Sequence, residues 1–536
     1  MTRRYPIGIQ TFSRIRREGY VYVDKTDLVW QLAHYATYVF MSRPRRFGKS
    51  LLTSTLESYF RGERELFEGL KIMQLEQAWE QYPVIRLDLS GTKNMTCSNV
   101  KVELENIVTP YEAIYGENPR ETTPGMRLAG VIERAYEQTG RQVVVIIDEY
   151  DAPMLDVLHD QGLLEEIRRL MQEFYQRLKK LEAKIKFCFI TGITKFSQLS
   201  IFSTINNLKN VTLSPRFSAI CGITEQEVKE VFAEDIKAMA DHLEYTPEEM
   251  FQRIKLRYDG YHFSSKSEDI YNPYSLLNAF DDQELDNYWF ASGTPTFLIR
   301  QLQHFKTDIM SLDKLGVDVS AFDQPTENME DALPLLYQSG YLTIKDYDRN
   351  ILAYTLSIPN QEVRIGIVKG LLPAYTGLKP SNVQMGFAAT FWQALNAGDI
   401  EQAMREMQAY FAGIPYVEGF KQKLQEVANA ERLRVGEQSS GMGFYEYTLY
   451  LIFSMLNVYV RTQVHVAGGR ADMVVWMPDT IYVFELKVNG TAQQALAQID
   501  KNGYAIPYQA EGRRVVKVGV KFNRDTRVPE DWVIAG

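Results

Sequence analysis

The sequence predicts an α/β protein built on two separate sheets with a largely helical region between them. Three observations carry that prediction. Strand candidates at Thr37–Phe40, Pro83–Leu89, Val143–Ile147 and Ile185–Ile190 alternate with helical patterns near 98–115, 125–139 and 161–183. Such alternation means a parallel sheet covered on both faces. From Thr224 the periodicity turns helical, and after Arg434–Gly443 (RVGEQSSGMG) the residue types change again.

Size and composition set the frame. A chain of 536 residues exceeds one hydrophobic core, so roughly two to four domains are expected. Apolar content of 45% with 24% charge is ordinary for globular protein and argues against wholesale disorder. Cys97, Cys188 and Cys221 lie far apart with no C-x-x-C, which fits a reducing compartment rather than a disulfide framework or zinc site. MTRRYPIGIQTF lacks the apolar core of a signal peptide, and no run reaches the ~18 apolar residues of a membrane span. A soluble, cytoplasmic protein is expected. The net charge is −9, yet from Glu431 onward 12 Lys/Arg face 11 Asp/Glu, so the last hundred or so residues are the part least repelled by nucleic acid. Their basic cluster comprises Arg513, Arg514, Lys517, Lys521, Arg524 and Arg527.

Taken in order, YVYVDKTDLVWQLAHYA at 20–36 reads as a short strand and then a helix capped by Asp24. Strand Thr37–Phe40 runs into MSRPRRFGKSLL, Met41–Leu52, and a helical pattern from Lys49 to about Phe60. Strand, loop, then helix is the context of a P-loop. Gly48 lets backbone N–H groups approach phosphates, Lys49 can reach the β- and γ-phosphates, and Ser50 can place its hydroxyl on Mg²⁺. The helix adds its positive N-terminal end. Arg43 stands where G-x-x-x-x-G-K-[ST] has its first glycine, and a basic turn of Arg43, Arg45, Arg46 and Lys49 is the plain alternative. The nucleotide-binding candidates are Arg43, Arg46, Phe47, Gly48, Lys49, Ser50, Leu51, Asp148 and Thr191.

The unbroken apolar run Val143–Ile147 ends in Asp148-Glu149-Tyr150-Asp151. A buried parallel strand with carboxylates at its carboxyl end places them where α/β sheets hold ligands. Asp148 can join the Mg²⁺ shell and Glu149 can polarise the attacking water. Past Ile185–Ile190, Thr191 and Thr194 are candidate γ-phosphate sensors, with a strand-ending Thr-Gly turn as the alternative. Arg216 is a candidate charge-stabilising arginine.

Thr224 with Glu227 three residues on marks a capped helix start. The stretch 224–350 reads as a helical lid with a winged-helix-like tail that closes on nucleotide. Residues 351–440, with helices near 384–395 and 399–412, read as a helical connector. The expected domains are thus 1–223, 224–350, 351–440 and 441–536.

In the last of these, Phe444–Val460 reads as an apolar helix carrying Glu446. Strand candidates Arg470–Trp476 and Thr480–Lys487 follow, joined by a hairpin turn at Met477-Pro478-Asp479. Glu485 and Lys487 are two apart and share a face. A charged pair in an otherwise apolar strand is costly without a purpose. Asp472 and Glu485 can bind Mg²⁺ jointly, and Lys487 can orient or deprotonate water and offset phosphate charge. Glu446 can reach the same metal, and Gln498 on the next helix can help position the site. An E–K pair across solvent on an edge strand is the plain alternative.

YVDKTDL, RPRRFGKSLL, IDEYD, TGITKFS, YDGYHF and YNPYSLLN, with GRADMVV and YVFELK, carry a resemblance over nearly the whole chain. It resembles bacterial proteins that join an AAA-ATPase-like domain to a C-terminal nuclease of the PD-(D/E)xK superfamily. The resemblance implies that Arg43 in the first-glycine place is the family's own form. It also implies a restriction-endonuclease-like C-terminal domain, competent because Asp472, Glu485 and Lys487 are all present. The expected function is a P-loop NTPase controlling a nuclease that cuts phosphodiester bonds. The expected cofactors are ATP and Mg²⁺, with Mn²⁺ able to substitute in the nuclease site. The expected partners are ATP and DNA or RNA, with assembly into a homo-oligomer left open and no membrane. A nucleotide-operated switch or scaffold that binds nucleic acid or a partner without cutting is the alternative.

Overall fold

The structure is a computed structural model. It describes residues 3–536 except 93–95, 156, 159, 196–206, 292–301, 303, 306–311, 313–314, 325–328, 368–381, 414–458, 467–468, 478, 524–525 and 527. The chain divides into two compact units, one of residues 1–292 with 314–360 and one of residues 293–313 with 361–536.

The first unit is built on five parallel strands. These are β1 (Tyr38–Ser42), β2 (Val84–Asp88), β3 (Val143–Asp148), β4 (Ile185–Gly192) and β5 (Lys209–Asn210), in the order β2-β3-β4-β1-β5. The alternation of strand and helix dictates this outcome, because parallel neighbours need crossovers. β3 is buried along its whole length, as an unbroken VVVIID run in a central strand must be. Helices Cys97–Tyr115 and Pro124–Thr139 lie where the periodicity placed them, and Gln161–Gln176 covers most of the expected 161–183 before giving way to a 3-10 helix at Arg177–Lys184, each of the three opened by a Thr or Asp cap. Helix α1 (Lys49–Phe60) follows β1 directly through the loop.

The strand expected at 20–23 does not form. Val21 and Val23 instead pack in an extended segment against the helical cluster around Phe232 and Tyr258. Hydrophobic contact there replaces strand pairing, although Val21 still donates its N–H to Arg4 O. Asp24 bonds the N–H of Thr26 as expected of a cap, while Lys25 occupies the N-cap position.

Beyond Thr224 three helices follow, Glu225–Val231, Ala233–His242 and Pro247–Tyr258, the first and third with complete capping boxes. Two short strands, β6 (Ile223–Thr224) and β7 (Ile270–Tyr271), pair antiparallel ahead of helix α2 (Pro273–Asp282). A three-stranded antiparallel sheet closes the unit, made of β8 (Leu315–Val317), β9 (Thr343–Asp348) and β10 (Ala353–Ser357) in the order β8-β10-β9. The expected boundary at 350/351 falls inside the β9–β10 hairpin, so the ILAYTLS stretch is strand rather than helical connector.

In the second unit, helices Asn382–Asn396 and Ile400–Ala412 match the expected pair. Five strands form a mixed sheet in sequence order: β11 (Tyr459–Val466), β12 (Gly469–Trp476), β13 (Thr480–Lys487), β14 (Arg514–Phe522) and β15 (Pro529–Ala535). β13 and β14 are parallel and the other neighbours antiparallel. Helix α3 (Ala492–Lys501) makes the crossover between the parallel pair, and its Ile499 is buried in a small core with Val474, Ile481, Val483 and Tyr504. Of the helix expected at 444–460, Tyr459 and Val460 belong to β11, and the rest lies outside the described residues.

Candidate functional site

Two sites emerge, one in each unit. The first lies at the carboxyl edge of the parallel sheet. The loop after β1 reaches α1 through Gly48, whose φ of 91° is the left-handed turn that only glycine takes without strain. A cavity of about 380 Å³ opens there, lined by Arg46, Gly48, Lys49, Ser50 and Leu51 of the loop and by Glu149. Lys49 is buried, donates from Nζ to Pro44 O at 3.2 Å and lies 3.7 Å from Glu149 Oε1. Asp148 is fully enclosed. Its Oδ1 accepts the Glu149 N–H at 3.0 Å, and Thr53 Oγ1 sits 3.2 Å from its Oδ2. Burial raises the Asp148 carboxyl, while the Ser50 hydroxyl and the Lys49 charge pull it back down. Glu149 has a φ of 50°, a strained value for a non-glycine residue and one that concentrates at functional sites.

Not every expected residue reaches this cavity. Arg43 is enclosed elsewhere. Its guanidinium bonds the carbonyls of Ser42, Thr212 and Phe217 and stacks 4.3 Å from the Phe263 ring. The arginine in the first-glycine place therefore braces the loop from behind. Phe47 packs edge-on against Tyr261 and Phe263. The Thr191 hydroxyl donates to Met41 O at 2.7 Å, and that of Thr194 to Asp151 Oδ2 at 2.7 Å. Arg216 donates to Gln31 Oε1. Motif position alone cannot tell a ligand from a brace, since both want polar atoms near a turn.

Conversely, sequence reasoning missed Pro6–Gln10, Asp88, Ser90 and Tyr274, all lining the cavity. Tyr274 stacks on the Arg46 guanidinium at 4.6 Å. The available signal was Asp88, which ends a strand as Asp148 does.

The second site sits on the mixed sheet. The antiparallel register that pairs Met473 with Phe484 sets Asp472 beside Glu485. Asp472 Oδ2 accepts the Leu486 N–H at 2.8 Å. Lys487 Nζ bonds Glu485 Oε1 at 2.9 Å and Gln498 Oε1 at 2.7 Å, so α3 delivers its glutamine to the strand pair. This approach is possible because Gly519, which pairs with Glu485, lies under α3, where a Cβ would come within 2.4 Å of Ala492 O. Asn502 Nδ2 and Gln498 Nε2 both point to the Tyr504 hydroxyl. Asp472, Glu485, Lys487 and Gln498 are thus brought together, and Glu446 lies outside the described residues.

Glu485 is 1% exposed, and its Oε2 has no hydrogen-bond partner among the described residues. Burial, then the charge of Asp472, pushes its carboxyl up to about 7. An orphaned buried oxygen beside a second carboxylate, with a lysine adjacent, is a donor set that fits a hard divalent cation. The basic cluster is partly spent locally: Lys517 pairs with Asp500 at 2.7 Å and Lys521 with Glu530 at 3.5 Å.

The two units together define an ATPase-like α/β domain and a nuclease-type mixed-sheet domain on one chain. The comparisons agree. A family model described as a predicted AAA-ATPase matches residues 6–202, and one of the PD-(D/E)XK nuclease superfamily matches residues 441–532. A protein of Azotobacter chroococcum mcd 1, described as an uncharacterized protein in the vnfD 5′ region, is 34% identical over 543 residues, covering 99% of each chain. The chain belongs to the family that joins an AAA-ATPase-like domain to a PD-(D/E)XK nuclease superfamily domain. No helix among the described residues is long and apolar enough to cross a membrane.

Proposed function

We propose that this protein binds and hydrolyses ATP at the first site and, under control of that nucleotide, cuts phosphodiester bonds of DNA or RNA at the second. The orphaned Glu485 Oε2 beside Asp472 and Lys487 is the observation that carries the cleavage reading. Asp472 and Glu485 would hold Mg²⁺ or Mn²⁺, which supplies Lewis acidity to the scissile phosphate. Gln498 holds the Lys487 ammonium beside Glu485, ready to orient water and offset charge on phosphorus. Water adds to phosphorus, the P–O3′ bond breaks, and the leaving 3′ oxygen takes up a proton. In the first site, Lys49 would bind the β- and γ-phosphates, and Ser50 and Asp148 would hold Mg²⁺. Glu149, released from Lys49, would orient the attacking water. A cytoplasmic location is part of this proposal, suggested by three cysteines far apart in the sequence with no C-x-x-C.

The test is cleavage of a panel of single- and double-stranded DNA and RNA, with Mg²⁺ or Mn²⁺, with and without ATP. The Asp472→Ala variant should lose roughly 10²-fold or more. Cleavage by Asp472→Ala equal to the parent sinks the second site. A parent that shifts size with ATP and never cuts favours the switch or scaffold instead.

A further inference from the structure

Asp88 belongs to no motif, yet it shares the ATP-site cavity with Lys49, Ser50 and Glu149. It ends β2 in parallel register with Asp148, the end of β3. The Leu89 N–H donates to Asp148 O at 3.1 Å, which ties the two strand ends together. The Ser90 N–H donates to Asp88 Oδ1 at 2.9 Å and fixes the carboxylate at the cavity wall. The other two acids have tasks of their own in the ATP reading: Asp148, enclosed and bonded at both oxygens, would hold the cation with Ser50, and Glu149 lies against Lys49.

From this geometry we infer that Asp88 is a positioning residue for the cation that accompanies ATP, acting through that cation's water shell. The inference rests on the ATP reading of the first site. Mg²⁺ keeps several waters and takes only one or two carboxylates besides phosphate oxygens. The second carboxylate of the site therefore comes from the neighbouring strand. Asp88 accepts hydrogen bonds from the shell, and Glu149 is left for the attacking water.

The experiment uses the full chain and compares the parent with Asp88→Asn and Asp88→Glu. It reads ATP binding without metal, ATP binding titrated with Mg²⁺, and the kcat and KM of hydrolysis. Asp88→Asn should leave metal-free ATP binding unchanged and raise the half-saturating Mg²⁺ concentration roughly tenfold. It should lower kcat more than it raises KM, and Asp88→Glu should recover part of the loss. If Asp88→Asn keeps the parent's Mg²⁺ dependence, or weakens ATP binding equally with and without metal, this inference fails alone. If the parent binds no ATP, the reading of the first site fails with it. Should Asp88→Asn fail to fold, Asp88→Ser takes its place, and the parent's Mg²⁺ dependence and kcat in that variant overturn the inference.

Discussion

Asp148 in the first unit and Glu485 in the second are both buried carboxylates at the ends of apolar strands, and burial raises both. Their surroundings differ. Asp148 is satisfied by a backbone N–H and a threonine hydroxyl, whereas Glu485 carries one oxygen with no partner among the described residues. The first site is assembled largely from backbone, a glycine turn and a helix start, with arginine and aromatic braces behind it. The second is assembled from side chains that cross from one strand to the next and down from a helix. A loop site of the first kind is organised by its own chain. A site of the second kind leaves like charges close together, and we propose that a divalent cation offsets them.

The largest expected effect separates the two sites directly. Lys49→Ala should weaken ATP binding by roughly tenfold or more, a loss of ~1.4 kcal/mol per decade, and leave Mg²⁺ binding at Asp472 and Glu485 intact. Asp472→Ala should do the reverse. ATP affinity falling equally in both variants would break the division.

The contrast also has a pH signature. Between 4.5 and about 7, folded Glu485 holds a proton that the unfolded chain has released. Stability without metal should therefore fall as pH rises through that window, since the folded state binds more protons. Mg²⁺ competes with that proton, so its thermal stabilisation of the parent should be larger at about pH 8 than at about pH 5.5. Glu485→Gln should abolish the Mg²⁺ effect and the local fall together. Equal Mg²⁺ stabilisation at both pH values would contradict the unfinished character assigned to the second site.

The smallest effect concerns the supports. Gly519→Ala should cost about 1–3 kcal/mol by pushing α3 off the sheet, since the added Cβ meets backbone at Ala492 and Leu496. It should also slow cleavage by separating Gln498 from Lys487, measured alongside chemical denaturation. Cleavage unchanged at that loss of stability would show that the glutamine only packs.

Much of this architecture was legible beforehand because period and punctuation report it locally. Parallel strands, capped helices and the Glu485–Lys487 spacing follow from apolar runs and two-residue alternation. The capping box at Thr224 and Glu227 was readable to the residue. Less legible were the extended Val21–Val23 segment, which is assigned to no strand, and the β9–β10 hairpin, where packing decided against the local pattern.

The sequence by itself determined that this chain carries a parallel α/β sheet near its start and a second sheet near its end, and which short stretches carry the charged residues. Backbone preference and hydrophobic period act over a few residues, and those the chain spells out. Only the tertiary structure decided that Arg43 turns inward to brace the loop, that Asp88 lies level with Asp148, and that Gln498 meets Lys487. These depend on strand order, register and helix approach. Such quantities are set by contacts between residues far apart in the chain, which no local pattern encodes.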